Sequence, residues 1–271
     1  MTGLRQVGLH AALALGAVFF LAPFVMLVAA SFSRPEDLAA RTLLASPPTL
    51  DNYRAALTSV PLVRYFANSI VVTTTILVFQ ILTGLPAAYA LARVRFRGAS
   101  LGLGMVLLCL MIPHQLAAIP LYVLFARLGL IDTRVALIAP FAVSAFGIYL
   151  FRQFILTIPA EVFDAARMDG ASTVSVLARV VLPMCRPAIL VFAVASFTGH
   201  WNDYFWPSFV LTHDRAATVP MGVASFTIAE GGTDYGVQLA LATMSVAPLL
   251  AGFVVAQRYL ARGLALSSAE N

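Results

Sequence analysis

Aromatic and polar side chains follow one another in the apolar segment 188–210, in the order His200, Trp201, Asn202, Asp203 and Tyr204. Aromatic rings stack on the C–H faces of sugars, and amide and carboxylate groups hydrogen-bond to sugar hydroxyls, so this set favours a sugar site. The residues also have a structural interpretation. Tryptophan and tyrosine are enriched at membrane interfaces, and Asp203, ahead of Pro207, is equally compatible with the outer end of a helix.

Two further polar residues, Asn68 and Gln115, lie in other apolar segments, where polar groups are costly and are therefore functional candidates. Gln115 lies between Pro113 and Pro120, which predict a kink that serves either a gate or helix packing. Gln80, by contrast, is predicted to hydrogen-bond between helices. We predict that Asn68 and Gln115 line a translocation pathway together with the aromatic and polar cluster.

Enzymatic and metal chemistry have no recognisable pattern here. Cys109 and Cys185 are far apart without CxxC spacing, the four histidines are scattered, and clustered acids or histidines at catalytic spacing do not occur. All 17 basic residues are arginine, and a P-loop needs a lysine to hold the terminal phosphates. We therefore expect no bound cofactor, with any ATP and Mg²⁺ held by another polypeptide. The net charge of +5 does not indicate nucleic acid, because the arginines form no basic face interleaved with aromatics.

Composition places the chain in a membrane. Of its 271 residues, 61% are hydrophobic and 11% charged, against roughly 25% charged in soluble domains. A helix needs about 20 apolar residues to cross the hydrocarbon layer. Six segments meet this requirement: about 11–32, 67–92, 101–125, 135–155, 188–210 and 237–260. Because the first is too long for a secretion signal, we interpret it as a retained span.

The short segment between the second and third spans carries Arg93, Arg95 and Arg97 without an acid. The positive-inside rule places it in the cytoplasm, and an even number of spans then places both termini there. The arginine totals, ten inside against seven outside, agree only weakly with this orientation. The segments 33–66 and 211–236 become the outer surface, where an external partner would dock.

The cytoplasmic segment 158–183 predicts two short helices. Pro159 suits the first turn of a helix, Gly170 is a natural stop, and Ser172 can cap a second helix that ends near Leu182 and Pro183. On the first helix an apolar stripe is predicted at 162, 163 and 166, with the small residues 165 and 166 as its point of closest contact. The alternative is an amphipathic helix that only rests on lipid headgroups.

The pattern Asp164-Ala165-Ala166-x-x-x-Gly170, followed after nine intervening residues by Val180-x-Leu182-Pro183, resembles the EAA loop of bacterial ABC-importer permeases. The resemblance implies that the first helix is a coupling helix, which fits into a cleft of the ATPase. It assigns ATPase coupling to Glu161, Asp164, Ala165, Ala166, Asp169, Gly170, Leu182 and Pro183. Asp164 stands where the family usually has glutamate, and Val180 where it often has isoleucine.

Other stretches resemble the carbohydrate-uptake branch of these permeases, of the maltose-permease G type: Asn68-Ser69, 89–93, 111–115, 119–122, 128–130, 152–154 and 201–207. The resemblance implies an all-α fold with six transmembrane helices and one type-I permease domain, 1–271, in a bacterial cytoplasmic membrane. It also implies a second, non-identical permease, two ATPase subunits and an extracytoplasmic solute-binding protein as partners. The tail 265–271 departs from the family pattern.

Three alternatives remain at this stage. An ion-coupled secondary transporter needs intramembrane charges on paired broken helices, but Asp203 is the one candidate carboxylate and no repeat is visible. A membrane-embedded enzyme needs the catalytic cluster that is missing. Within the resembled family, the cargo could be a polyol or a glycerol-phosphate ester, although an ester favours arginines in the cavity.

Overall fold

The computed structural model describes residues 2–40, 42, 46–226 and 234–268, with side chains described for 6–254 within those ranges. All regular elements in these ranges are helical, which confirms the predicted fold class. The α-helices are α1 (Thr2–Ser31), α2 (Pro35–Ala39), α3 (Asp51–Ser59), α4 (Leu62–Arg93), α5 (Ala99–Met111), α6 (Ala118–Arg127), α7 (Arg134–Ile138), α8 (Ala145–Thr157), α9 (Ala160–Met168), α10 (Thr173–Val176), α11 (Leu182–Met184), α12 (Arg186–Trp201), α13 (Phe205–Val210), α14 (Val219–Ser225) and α15 (Tyr235–Ser268). Short 3₁₀ turns occupy His114–Ala117, Ala139–Phe141 and Asp214–Ala216, and a π-helical turn occupies Leu177–Val181.

Within the described residues, three candidate spans are continuous helices: Gln6–Ser31, Leu62–Arg93 and Tyr235–Val254. The other three are bent pairs: Ala99–Met111 with His114–Arg127 at 92°, Arg134–Phe141 with Ala145–Thr157 at 40°, and Thr173–Met184 with Arg186–Trp201 at 75°. If each bent pair is counted as one span, length and composition give six, the number predicted.

Each of the predicted spans 101–125, 135–155 and 188–210 is interrupted; a kink was predicted in the first, from Pro113 and Pro120, but not in the other two. In the first, the break falls at Ile112 and Pro113; Ile112 is extended, as expected for a residue before proline. In the last, α12 ends at Trp201, and a new helix begins at Phe205. The carboxylate of Asp203 accepts a hydrogen bond from the Trp206 amide at 3.3 Å, so Asp203 lies just after the end of α12 and just before the start of α13.

The second span also begins earlier than predicted. Helix α4 starts at Leu62 instead of 67, and the outer segment before it carries two short helices, α2 and α3. A proline at position 61 explains the sharp start, since proline is favoured at the beginning of helices and lacks a donor needed further along.

The chain divides into two compact units, 1–63 with 219–248 and 64–218 with 249–271. That 1–271 forms a single domain therefore stays a prediction. In the first unit, the apolar side chains of α1 are largely exposed, Phe19 for example by 77%. Apolar exposure of this extent on a helix long enough to span is typical of a surface that lipid or another subunit covers.

Asn52 anchors the outer end of α1 in the first unit. Its side-chain amide is buried and donates to the carbonyls of Ser31 and Ser33, both at 2.9 Å. These carbonyls lie where α1 ends and lack helical partners. A β-carbon at Gly236 would lie 2.5 Å from the Asn52 side-chain oxygen, so α15 approaches this junction closely only because residue 236 is glycine.

The core of the second unit lies where α4, α8, α9 and α12 meet. Its fully buried members include Ala88, Phe151, Ile155, Val181 and Phe192. Helices α8 and α12 approach most closely at Gly147, where an added β-carbon would lie 2.9 Å from the Phe192 ring. That ring also packs edge-on against Phe151 at 5.1 Å, which leaves it little room to move.

Helix α4 supplies hydrogen-bond donors to the interrupted backbone around it. Gln80 donates to the carbonyl of Phe141 at 2.9 Å, and Thr83 donates to that of Ala142 at 3.1 Å. Both carbonyls lie at the bend between α7 and α8, where helical bonding is interrupted. Because lipid cannot replace the missing donors, α4 stabilises the bend. The predicted interhelical role of Gln80 is confirmed.

The Gly147 contact predicts a position-dependent effect of one substitution. We expect Gly147→Ala to destabilise the full-length chain in detergent by about 1–3 kcal/mol, because the added methyl overpacks against Phe192. The matched control is Gly84→Ala, whose β-carbon would meet Phe151 at an ordinary 3.5 Å. Thermal unfolding should show a lower midpoint for Gly147→Ala and an unchanged or higher one for Gly84→Ala; equal midpoints would contradict the packing.

Candidate functional site

The predicted coupling helix forms as α9. Pro159 immediately precedes its first residue, and Glu161 lies in the first turn, where a negative charge opposes the positive end of the helix dipole. The helix ends in a left-handed turn at Gly170, whose φ is +70°. The amides of Gly170 and Ala171 donate to the carbonyls of Arg167 and Ala166, both at 3.0 Å. Glycine suits this turn because other residues adopt positive φ only with strain.

The inward and outward faces of α9 differ sharply. Phe163 is only 3% exposed, and Val162 and Ala166 pack partly against the same core. Ala166 therefore contacts the chain's own interior, whereas Ala165 is exposed. Both alanines were predicted to lie closest to an external partner. Ala165 is accessible to such a partner, whereas Ala166 is accessible only in part.

Charged and apolar side chains share the outward face of α9. Glu161, Asp164, Asp169 and Gly170 are exposed with Ala165. Asp164 pairs with Arg167 at 3.2 Å, one turn along the same helix, but both side chains are more than 60% exposed. Such a surface pair contributes little to stability. Asp164 thus remains available to an external partner.

The second half of the loop contains features that the sequence pattern did not single out. Ser172 caps α10 as predicted, accepting from the Ser175 amide at 3.3 Å. Leu182 is exposed and Pro183 half-buried, but the helical stretch continues to Met184 instead of ending at them. Met168 is 89% and Val174 74% exposed. Both are large apolar residues in a segment predicted to meet a partner, and this is the signal by which the sequence could have marked them.

A cavity of about 860 Å³ lies in the second unit, along the bends of the third and fourth spans. Its lining includes the polar side chains Gln80, His114, Gln115, Ser144, His200 and Asp203. Three predicted pathway residues, Gln115, His200 and Asp203, are thereby brought together. None of the described residues that line this cavity is arginine.

Hydrogen bonds fix the orientation of His200 at the cavity wall. Its Nε2 lies 3.1 Å from the side-chain amide of Gln80, which acts as donor, so that nitrogen is the acceptor. The other end of Gln80 accepts from the hydroxyl of Ser196 at 2.6 Å. The Phe141 ring lies 4.9 Å from the His200 ring and 6.4 Å from that of His114. The wall thus combines imidazole groups, an amide and an aromatic ring.

The remaining predicted pathway residues lie away from this lining. Trp201 is buried and stacks on Phe197 at 5.6 Å, and Asn202 is exposed and donates to the Thr198 carbonyl of its own helix at 2.9 Å. Tyr204 is 42% exposed. Their contact with solute stays a prediction.

Asn68 is fully buried and joins three segments. Its side-chain nitrogen donates to the carbonyls of Arg215 and Ala217 at 3.0 and 2.9 Å. Its side-chain oxygen accepts from two guanidinium nitrogens of Arg134 at 3.1 and 2.7 Å. All the polar atoms of this side chain are engaged within the chain, so the geometry favours a structural role over pathway lining.

Asp132, outside the spans, joins two segments of the chain through its carboxylate. It adopts a left-handed conformation, and its carboxylate accepts from the amide and hydroxyl of Thr212 and from His213, whose amide lies at 2.8 Å. Burial raises the pKa of Asp132, but these hydrogen bonds outweigh that effect and hold its pKa well below the usual range. The stabilisation is therefore present at neutral pH and is lost only as the carboxylate protonates in strong acid.

Comparison with known proteins identifies relatives over most of the chain. Residues 80–266 match the family described as binding-protein-dependent transport system inner membrane component. The chain is 33% identical to the arabinooligosaccharides transport system permease protein AraQ of Halalkalibacterium halodurans, over 89% of this chain and 88% of that protein. It is 30% identical to the sn-glycerol-3-phosphate transport system permease protein UgpE of Escherichia coli, over 94% of each.

One solved structure is similar throughout. It is that of a bacterial ABC transporter involved in the import of the acidic polysaccharide alginate. The superposition has a TM-score of 0.82 at 26% identity and covers 94% of this chain and 96% of the other. The bent spans therefore occur within a fold already known for transporter chains.

The buried hydrogen bonds of Asn68 predict that its replacement lowers stability more than replacement of an exposed asparagine does. We expect Asn68→Ala to destabilise the full-length chain in detergent by roughly 2 kcal/mol or more, because two carbonyls lose their donor. The control Asn202→Ala removes one bond within an exposed helix turn. Thermal unfolding should separate the two; an Asn68→Ala chain as stable as Asn202→Ala would refute the structural role.

Proposed function

The chain belongs to the family of binding-protein-dependent transport system inner membrane components, and we propose that it receives the work of separate ATPase subunits through α9. Membership makes it a membrane-spanning subunit of an importer and a transport component, not an enzyme. The single observation that carries the coupling proposal is the two-faced helix. Phe163 secures α9 to the core, while Ala165 and its exposed neighbours face outward.

The outward face has the chemistry of a protein-docking surface. Ala165 leaves room for close approach, Met168 offers an apolar side chain, and Glu161, Asp164 and Asp169 offer carboxylates. A buried apolar anchor surrounded by polar contacts is the usual arrangement of an interface hot spot. An ATPase cleft that closes on ATP would move this face, and the rigid core contact behind it would pass the movement to the spans.

The proposed assembly contains this chain, a second, non-identical permease, two ATPase subunits and an extracytoplasmic solute-binding protein. ATP and Mg²⁺ bind the ATPase subunits, since this chain has no lysine for a P-loop. The chain is a multi-pass protein of the inner membrane. We further propose that both termini lie in the cytoplasm, which the arginines at 93, 95 and 97 support.

The proposed cargo is a sugar or sugar-like solute. The cavity wall offers Gln80, Gln115, His200 and Asp203 but no arginine among its described residues, a set that suits neutral hydroxyls better than phosphate. The AraQ relative, named for arabinooligosaccharides, supports this choice. A glycerol-phosphate ester is the second candidate, because of the UgpE relative. A polyol shares the hydroxyl chemistry, while ion-coupled transport remains the less favoured mechanism.

Ala165 provides the sharpest test of coupling. In the reconstituted transporter, we expect Ala165→Trp to reduce both uptake and ATPase stimulation by loaded binding protein about tenfold or more, because the ring blocks close approach. Ala165 is exposed, so the fold should be unaffected. Gly170 is a poorer target, because its φ of +70° strains any replacement.

The control for this variant is Ser100→Trp, which adds the same ring at an exposed small residue near the start of α5. It should behave as wild type. Undiminished uptake and stimulation in Ala165→Trp would exclude α9 as the coupling contact.

Cargo selection can be measured on the binding protein and on uptake together. We expect neutral di- and trisaccharides to bind and to be transported, with sorbitol weaker and sn-glycerol 3-phosphate inactive, because the described cavity lining has no arginine. Binding of glycerol phosphate alone would establish the second candidate. Uptake that persists without ATP but follows an imposed ion gradient would contradict the importer mechanism itself.

A further inference from the structure

Helix α4 ends at an arginine that contacts the base of the coupling helix. The guanidinium of Arg93 donates to the carbonyl of Ile155 at 2.9 Å and also to that of Ile158. Ile155 lies in the last turn of α8, and its carbonyl would normally accept from the residue four positions later. That residue is Pro159, which has no N–H. In place of that donor the Ile155 carbonyl accepts from the Ile158 amide at 3.3 Å, and Arg93 supplies a second donor at the junction between α8 and α9.

The same guanidinium contacts α9 directly. Its central carbon lies 4.6 Å from the centre of the Phe163 ring, within the range of a cation–π interaction. Tyr89, one turn earlier on α4, lies 6.0 Å from the same ring. Phe163 is the one fully buried side chain of α9. Arg93 and Tyr89 therefore hold the residue through which α9 is attached to the core.

A second arginine reinforces the junction from the opposite side. Arg152 on α8 donates through its Nε to the carbonyl of Leu91 on α4 at 3.2 Å. Each helix thus donates an arginine to backbone carbonyls of the other. Because guanidinium groups are planar and present several donors in fixed directions, such paired contacts resist sliding and rotation better than apolar packing alone.

From Arg93, α4 continues as one helix, with Pro86 inside it, to the wall of the cavity. Gln80 lies 13 residues earlier on this helix, a distance of about 20 Å along its axis. It bonds to His200 and Ser196 on α12 and to the carbonyl of Phe141. The base of α9 and the cavity are thereby connected through one continuous helix with polar contacts at both places.

We infer that Arg93 is a positioning residue for energy coupling, which locks α9 to α4 so that movement of the coupling helix reaches the cavity wall. The inference rests on the proposed function, since it requires that α9 receive the ATPase stroke. Arg93 touches neither solute nor nucleotide in this role. Its contribution is to keep the free energy delivered at α9 from being lost in local movement of that helix.

The test compares arginines of one short segment in the reconstituted transporter. Arg93→Gln removes the planar cation, Arg93→Lys keeps a charged donor without the planar stacking group, and Arg97→Gln removes the same charge at an exposed position. For each variant, ATPase activity with and without loaded binding protein and solute uptake are measured in one preparation. The melting temperature and the amount of ATPase that copurifies report on fold and assembly.

We expect Arg93→Gln to keep the ATPase bound and its unstimulated activity within about twofold of wild type, while stimulation and uptake fall about tenfold. The solute moved per ATP should therefore fall, which a loss of stable protein alone would not produce. Arg93→Lys should recover part of the coupling, and Arg97→Gln should match wild type. Stimulation and uptake within twofold of wild type in Arg93→Gln would overturn the inference, as would an equal loss in Arg97→Gln.

If Arg93→Gln is not recovered in folded form, Phe163→Leu and Arg93→Lys provide the test. Phe163→Leu keeps an apolar side chain in the core but removes the ring beneath the guanidinium. Both should reduce solute moved per ATP, and full coupling in both would overturn the inference. Failure of the proposed function has a different signature, namely a wild-type transporter without stimulation or an Ala165→Trp variant that transports normally.

Discussion

The hydrocarbon layer offers no water, so a backbone carbonyl freed where a helix breaks must find its donor within the protein. Three of the six candidate spans are bent by 40° or more, and each bend creates that requirement. Helix α4 meets it at one of these bends and also supplies a donor at the junction between α8 and α9. Gln80 and Thr83 donate at the bend before α8, and Arg93 donates at its end. The continuous helix α4 thereby supplies the donors that the bend before α8 requires.

This dependence places the two functional regions on one element. The polar side chains of α4 that complete neighbouring backbone also touch His200 at the cavity and Phe163 under the coupling helix. A structural need and a functional need are met by the same groups. Substitution along this face of α4 therefore affects folding and transport together unless the new side chain keeps the hydrogen-bond donor. Assembly and transport rate have to be measured in the same preparation for this reason.

The sequence predicted the number of spans, the stop at Gly170 and the cap at Ser172, because hydrophobic length and turn chemistry act locally. It predicted a kink at Pro113 but not its angle of 92°, and it missed the bends of the fourth and fifth spans. It could not assign Asn68, whose partners lie 147 and 149 residues away in the chain. It also missed the exposure of Met168, because exposure is decided by which side of α9 meets the core.

The two faces of α9, the proposed coupling helix, separate attachment to the core from recognition of a partner. Phe163 and Val162 lie toward the core, while the side chains that meet a partner share no packing with it. Substitutions on the outer face can accumulate without cost to the fold, so the surface can diverge as its ATPase diverges. One ATPase could then serve several importers whose permeases share little beyond a few exposed residues. A change of partner would then require replacement of exposed side chains alone, with the buried contacts of Phe163 left intact.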